Sequence, residues 1–375
     1  MGINLPKWEE LSKDEQIPIV NLPLEGNFVV IGGPGTGKTI LALYRAARWK
    51  SVHKDNKEEV KFLVYNRPLR QFISDAISTM ELPESSVDTW YRWLFNFYRE
   101  VSGQEIPSLG PYKYDFDKIE LFFQKNTSKY FDYLILDEAQ DLPPALLRIL
   151  NTISKSVTVF GDSKQALDNE LSKTADLTHA FGAERRVFYL SQNYRNTKEI
   201  SDLAHIFYTG DSNDIPARSS IRGPKPRYIR VKDINKSIEI IRTYSENNPS
   251  QTIGVFFHET KRLLKYKNIF EESGVKNIQI YKAKALLGLN HFSFDTPGIK
   301  IMTFSSMKGL EFDAVFIPEI DDIKFDSRDT LLLKRMYVGS TRAKKNLTFI
   351  ASSDKETNIS KMLDSNPDLI EKIIL

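Results

Sequence analysis

At 375 residues the chain is long enough for two domains with real cores, and 41% hydrophobic against 27% charged residues is an ordinary globular balance. The complete lack of cysteine excludes a disulfide framework, a thiolate metal site and a cysteine nucleophile, and it suits a reducing cytosol, so a cytoplasmic location is expected. A net charge of +3, from 52 basic and 49 acidic residues, neither demands nor forbids nucleic acid as a partner.

The first residues, MGINLPKWEE, place acidic side chains where a signal peptide needs an apolar run. No uncharged stretch approaches the roughly 18 residues that span a bilayer, so no membrane association is expected. Along the chain, apolar strand-like runs alternate with helical patterns: FVVIG from Phe28, KFLVY from Lys61, YLILD from Tyr133, SVTVFGD from Ser156 and VFYL from Val187. TILALYRAARWK and PPALLRILNTIS carry apolar residues at helical spacing between them. The second half continues with PRYIRV from Pro226, TIGVFFH from Thr252, IKIMTF from Ile299, AVFIP from Ala314 and NLTFIAS from Asn346. Loop-like stretches begin at Thr209 and Leu287. This alternation predicts an α/β fold with parallel sheets flanked by helices, in two domains over 1–191 and 192–375.

Gly32-Gly33-Pro34-Gly35-Thr36-Gly37-Lys38-Thr39 follows the first strand and opens a helix. Glycines there let successive backbone N–H groups converge on phosphate oxygens at the positive end of the helix. Lys38 is positioned to reach the β- and γ-phosphates of ATP, and Thr39 to ligate Mg²⁺. The strand YLILD ends in acid, with Asp137 as the second metal-site candidate and Glu138 as the group that orients and deprotonates an attacking water.

From here the order of motifs resembles the UvrD/Rep/PcrA branch of the superfamily 1 helicases, whose core is a pair of RecA-like P-loop NTPase domains. Gln16 in LSKDEQIPIV stands where that family's Q motif reads adenine. VFGDSKQAL resembles the motif whose glutamine senses the γ-phosphate, here Gln165. LSQNYRN implies Tyr194 stacked on adenine and Arg195 reaching the γ-phosphate. TFSSMKGLEFD implies Gly309 at the nucleotide and Glu311 at the ribose, and YVGSTRAKKNL implies Arg342 as a second arginine finger.

The positions expected at nucleic acid match less well. Asn66, Arg67 and Thr89 are retained, but Ser305 stands where the family carries a histidine, Val64 where it carries a stacking phenylalanine, and Asp168 and Glu170 lie where stacking aromatics are usual. Base–aromatic stacking is worth about 1–3 kcal/mol per base, so such losses matter. In DTWYRWLFNFYRE, Trp90, Trp93, Leu94, Phe97 and Tyr98 form a core-facing stripe; Tyr91 and Phe95 lie off it, with Tyr91 the better base-stacking candidate. The gaps between Thr89 and Asp137 and between Arg195 and Thr303 leave little room for the family's large accessory subdomains.

The resemblance therefore implies an ATP-dependent translocase or helicase on single-stranded DNA, moving 3′ to 5′, with RNA an open alternative. A second expectation is an ATP-driven effector subunit working beside a protein partner such as a nuclease in anti-phage defence. A small-molecule kinase on the same phosphate loop leaves the two arginines unexplained.

Overall fold

The computed structural model describes residues 6–53, 60–65, 67–78, 82–111, 113–162, 172–209, 217–275, 277–281, 296–307, 309–323 and 330–375. The chain divides into two compact units, Met1–Gln192 and Asn193–Leu375. The stretch from Leu287 lies largely outside the described residues, as does the first part of the one from Thr209.

The strands of the first unit are β1 (Asn27–Gly32), β2 (Val60–Val64), β3 (Val87–Thr89), β4 (Ser108–Gly110), β5 (Lys113–Tyr114), β6 (Phe131–Leu136), β7 (Ser154–Gly161) and β8 (Val187–Leu190). Its helices are α1 (Gln16–Asn21), α2 (Lys38–Val52), α3 (Arg67–Ser78), α4 (Trp90–Ser102), α5 (Phe116–Lys125), α6 (Pro144–Ile153) and α7 (Thr174–Ala180). Six strands form one parallel sheet in the order β3-β2-β6-β7-β1-β8, and β4 and β5 make a separate antiparallel hairpin.

Because successive side chains on a strand point to opposite faces, both faces of this sheet are apolar. Val29, Ile31, Leu134 and Leu136 pack on one face with Leu94 of α4, Phe123 of α5 and Leu150 of α6. Val30, Phe62, Tyr133 and Ile135 pack on the other with Ile19 of α1, Leu41 of α2 and Ile73 of α3. Parallel order brings the C-terminal ends of β6, β7 and β1 side by side on one edge, so the segments after Gly32, Leu136 and Gly161 converge there.

The second unit holds β9 (Arg227–Arg230), β10 (Thr252–Phe257), β11 (Ile278–Ile280), β12 (Gly298–Thr303), β13 (Phe312–Ile317), β14 (Ala343–Ala351) and β15 (Glu371–Ile374), with α8 (Lys198–Ala204), α9 (Ile234–Asn247), α10 (Thr260–Glu272), α11 (Thr330–Ser340) and α12 (Asn358–Asp364). All seven strands are parallel, ordered β11-β12-β10-β13-β14-β9-β15. One face packs Ile253, Val255, Ile299, Ile301 and Phe316 against Ile241 of α9 and Phe270 of α10.

Two glutamates, Glu138 (φ 53°) and Glu319 (φ 54°), are the non-glycine residues with positive φ among those described. Each stands two residues beyond a strand that opens Phe-Asp, β6 in the first unit and β13 in the second.

Candidate active site

The loop between β1 and α2 turns through left-handed backbone at Gly35 (φ 76°) and Gly37 (φ 86°), which only glycine adopts without strain. Thr36 closes the loop by donating its hydroxyl to the Gly33 carbonyl at 2.9 Å. Lys38 is buried and folds back into the cradle, its ammonium donating to the carbonyls of Gly32 at 2.7 Å and Gly33 at 3.0 Å. A cation held among backbone groups in this way is poised to exchange those carbonyls for phosphate oxygens.

Gln16 is buried against this loop. Its amide donates to the Thr36 carbonyl at 3.1 Å, and its Oε1 accepts from the Ser12 N–H at 3.0 Å. A side chain added at Gly37 would strike the Gln16 amide at 2.6 Å, which gives that glycine a second reason to be there. A carboxamide keeps a second donor and a second lone pair beyond these two bonds, enough to read a base edge. Arg45, fully buried, fixes the segment behind Gln16: its guanidinium donates to Ile19, Leu22 and Pro23 carbonyls, and its Nε to the Tyr133 hydroxyl at 2.7 Å.

At the end of β6, Asp137 is fully buried and accepts the Thr39 hydroxyl at 2.6 Å. Burial raises its carboxyl above the usual range, the neighbouring Glu138 adds to this, and Thr39 and Lys38 oppose it. Glu138 is held in the left-handed region, a strained place for a glutamate that such sites commonly use. The Gln140 amide donates to Glu138 Oε2 at 2.6 Å, and Gln140 Oε1 accepts from the Asp162 N–H at 2.9 Å, tying the end of β6 to the end of β7. Gln165, three residues past Asp162, lies outside the described residues, as do Asp168 and Glu170.

In the second unit Glu311 and Arg342 stand at the N-terminal edge of the sheet, with Arg195 bonded to Glu311. Glu311 precedes β13, Arg342 precedes β14 and Lys344 lies within its first turn of backbone. Asn193 accepts from the N–H groups of Arg195 and Asn196, and Asn196 donates to the carbonyls of Thr341 (2.9 Å) and Ala343 (2.6 Å), which flank Arg342. Arg195 donates through Nε to Glu311 at 2.8 Å, and Lys344 pairs with the other Glu311 oxygen at 2.5 Å. Burial alone would raise the Glu311 carboxyl; Arg195 and Lys344 outweigh it and hold the group at about 2.

Each Glu311 oxygen accepts from one cation and keeps a further lone pair. Arg342 is 1% exposed and donates to the Val338 carbonyl at 3.1 Å and the Leu310 carbonyl at 3.3 Å, so its guanidinium points into its own unit. Tyr194 is 40% exposed, available for stacking, and Gly309 turns with φ 77°.

The nucleic-acid candidates scatter. Asn66 and the side chain of Arg67 lie outside what is described. Thr89 is buried at the start of α4, where its N–H donates to Asp88. Ser305 is exposed beyond β12, at the edge of the sheet opposite Glu311. Tyr91 is half-buried, with one ring face stacked on Tyr114 of the β4–β5 hairpin at 4.4 Å and Trp90 edge-on at 5.4 Å. Phe95, 38% exposed with the Arg99 guanidinium 5.3 Å over its ring, is the open aromatic of α4. Val64 is fully buried.

Residues 16–169 match the AAA domain family, and residues 260–354 match the UvrD-like helicase C-terminal domain. The two models take in more than half of the chain between them. The chain belongs to the UvrD-like superfamily 1 helicases. A RecBCD enzyme subunit RecB from Chlamydia pneumoniae is 41% identical over 86 residues, 23% of this chain and 7% of that protein. A probable DNA helicase II homolog from Mycoplasma capricolum is 22% identical over 213 residues, 52% of this chain and 29% of that one. The UvrD-like chain thus spans well under half the length of both. Among solved structures, Mss116p bound to ssRNA and AMP-PNP superposes with a TM-score of 0.55 at 13% identity, over 96% of this chain and 73% of that one, a likeness of RecA-like fold.

Magnesium fits the residues that this UvrD-like core supplies. It dehydrates reluctantly and is held through one or two protein oxygens plus phosphates and waters. Thr39 and Asp137 give one hydroxyl and one buried carboxylate whose charge would be balanced by a cation. No cluster of three or more metal-binding side chains occurs among the described residues. Also among them, no helix is long and apolar enough to cross a membrane. Sequence reasoning missed Gln140, Asn193, Asn196 and Lys344. For Gln140 the signal was present, a polar residue between two acids directly after a buried strand.

Proposed function

We propose that the chain hydrolyses ATP and uses the cycle to move on single-stranded DNA, 3′ to 5′, as an ATP-dependent helicase or translocase. The observation that carries this is the constellation of Lys38, Thr39, Asp137 and Glu138 on one sheet edge, with the Thr39–Asp137 bond at 2.6 Å already in place. In this reading the 32–39 loop and Lys38 bind the triphosphate, Gln16 reads the base and Tyr194 stacks on it. Mg²⁺ held by Thr39 and Asp137 would neutralise charge on the β- and γ-oxygens. Glu138, held in orientation by Gln140, takes the proton of the attacking water. Arg195 supplies a guanidinium to the γ-phosphate, and among the described residues no hydrogen bond occupies its Nη groups. Arg342 joins it only if turnover turns its side chain outward.

A second reading is favoured by the packed state of Tyr91 and the buried Val64, which leave few aromatic platforms for bases. In it the chain is an ATP-driven effector subunit acting with a protein partner such as a nuclease. The similarity to a RecBCD subunit supports such company. ATP turnover measured at low salt, with and without single-stranded DNA, separates them. Several-fold stimulation by the strand is expected for the motor. Stimulation by a co-purifying protein alone would sink the first reading and sustain the second.

A further inference from the structure

The turn Ser12–Gln16 holds two distant parts of the first unit at once. Gln16 holds the phosphate loop through the Thr36 carbonyl. Its neighbour Glu15 holds the chain after β8: the carboxylate accepts from the Ser191 N–H at 3.1 Å, from the Gln192 N–H at 3.1 Å and from the Ser191 hydroxyl. Ser191 and Gln192 are the last residues of that unit, and the chain then runs directly into Tyr194 and Arg195.

Three donors on one carboxylate are far more than a surface glutamate needs, and charge-assisted bonds of this kind are the strong ones. The other end of α1 is immobilised. Arg45 holds the carbonyls of Ile19, Leu22 and Pro23 and is itself bonded to Tyr133 and Thr158 on the sheet. A shift at Gln16 therefore has little freedom to dissipate along α1. The adjacent Cα, only about 3.8 Å away, belongs to Glu15.

We propose that Glu15 is a positioning residue, which transmits the engagement of Gln16 and the phosphate loop to the segment carrying Tyr194 and Arg195. This rests on the ATPase reading above. Gln16 and Glu15 hold both segments in the arrangement described. When a base takes up the remaining hydrogen-bonding capacity of Gln16, the turn adjusts and Ser191–Gln192 follow.

The experiment compares the unaltered chain with Glu15→Ala, Glu15→Gln and Lys38→Ala. It reads steady-state ATP hydrolysis, thermal midpoint, and backbone hydrogen exchange over 189–196 with and without AMP-PNP. For Glu15→Ala, kcat is expected to fall about tenfold with KM within about twofold, the pattern of a lost interaction that matters after binding. The AMP-PNP-dependent change in exchange at 191–195 should vanish. Glu15→Gln, which keeps one carbonyl acceptor, should recover part of both. A Glu15→Ala chain with a lowered midpoint but an intact exchange response and unchanged kcat would show a merely structural contact and overturn the inference. So would an AMP-PNP complex of the unaltered chain with unchanged exchange at 191–195. Failure of the unaltered chain to bind AMP-PNP, or undiminished turnover by Lys38→Ala, would instead bring down the ATPase reading itself.

Discussion

Arg195 and Glu311 are joined through Nε and Oε2 at 2.8 Å, and Lys344 occupies the second oxygen of the same carboxylate. The group that resemblance assigned to a ribose thus serves, in the structure described, as the seat of an arginine.

The acid limb of stability should reveal this seat. Glu311 is held at about 2 against an ordinary 4.5, so its folded value is depressed. Its contribution is complete above pH 4.5 and is lost as pH falls through about 2. With the side chain 31% exposed, solvent discounts the full linkage, leaving about 1–3 kcal/mol. Denaturant midpoints taken between pH 5 and pH 2 should fall more steeply for the unaltered chain than for Glu311→Gln. Parallel slopes would refute the pairing.

Glu138→Gln should lower kcat by about 10²–10⁴-fold, the range for losing a positioned general base, while ATP still binds. Normal turnover in that variant would mean that the base is another group. Gln140→Ala should give a smaller loss, because it leaves the carboxylate in place but frees its orientation.

Arg195 and Arg342 should part company when removed. Arg195→Ala is expected to reduce hydrolysis and to cost only part of the Glu311 pairing energy, because Lys344 keeps the other carboxylate oxygen. Arg342→Ala empties a buried site and removes the guanidinium donors from the Leu310 and Val338 carbonyls, the second of which keeps the Thr341 hydroxyl, costing about 2–4 kcal/mol of stability as well. Equal denaturant midpoints for the two variants would contradict the inward placement.

Arg45→Met removes a buried guanidinium that satisfies carbonyls over Ile19–Pro23, a loss of about 3–5 kcal/mol. Urea unfolding followed by circular dichroism measures it, and a loss under about 1 kcal/mol would show that α1 does not depend on this anchor.

On α4, Phe95→Ala should weaken single-strand binding by up to the 1–3 kcal/mol of one stacked base, whereas Tyr91→Ala should act on stability alone. Salt-controlled fluorescence anisotropy distinguishes them. The reverse pattern would restore Tyr91 as the platform.

Much of this was legible in residues 27–39 and 131–138, because a glycine-rich turn between a buried strand and a helix has few other physical purposes. The ten strands expected from apolar runs all appear, with ends displaced by up to three residues. The short strands β3, β4, β5, β11 and β15 were not seen, since two to four residues carry no period. That omission hid the partner of Tyr91: the hairpin that places Tyr114 against it is held by short-range strand pairing, not by a hydrophobic pattern. Likewise, a motif fixes which residue types stand at Glu311 and Arg342, but side-chain direction depends on Lys344 across from Glu311 and on the carbonyls of Val338, one turn back, and of Leu310, distant in sequence.

The matching left-handed glutamates carry a last implication. After β6 and after β13 the backbone makes the same costly turn, worth about 1–3 kcal/mol each, yet only one follows an aspartate; Pro318 stands in the corresponding place before Glu319. There the carboxylate meets Arg262 at 3.1 Å, where Glu138 instead accepts the Gln140 amide. Chemical asymmetry between the halves is thus written on a shared scaffold at single positions, so transplanting an acid into the second half would reproduce the shape of a reactive corner without any of its company.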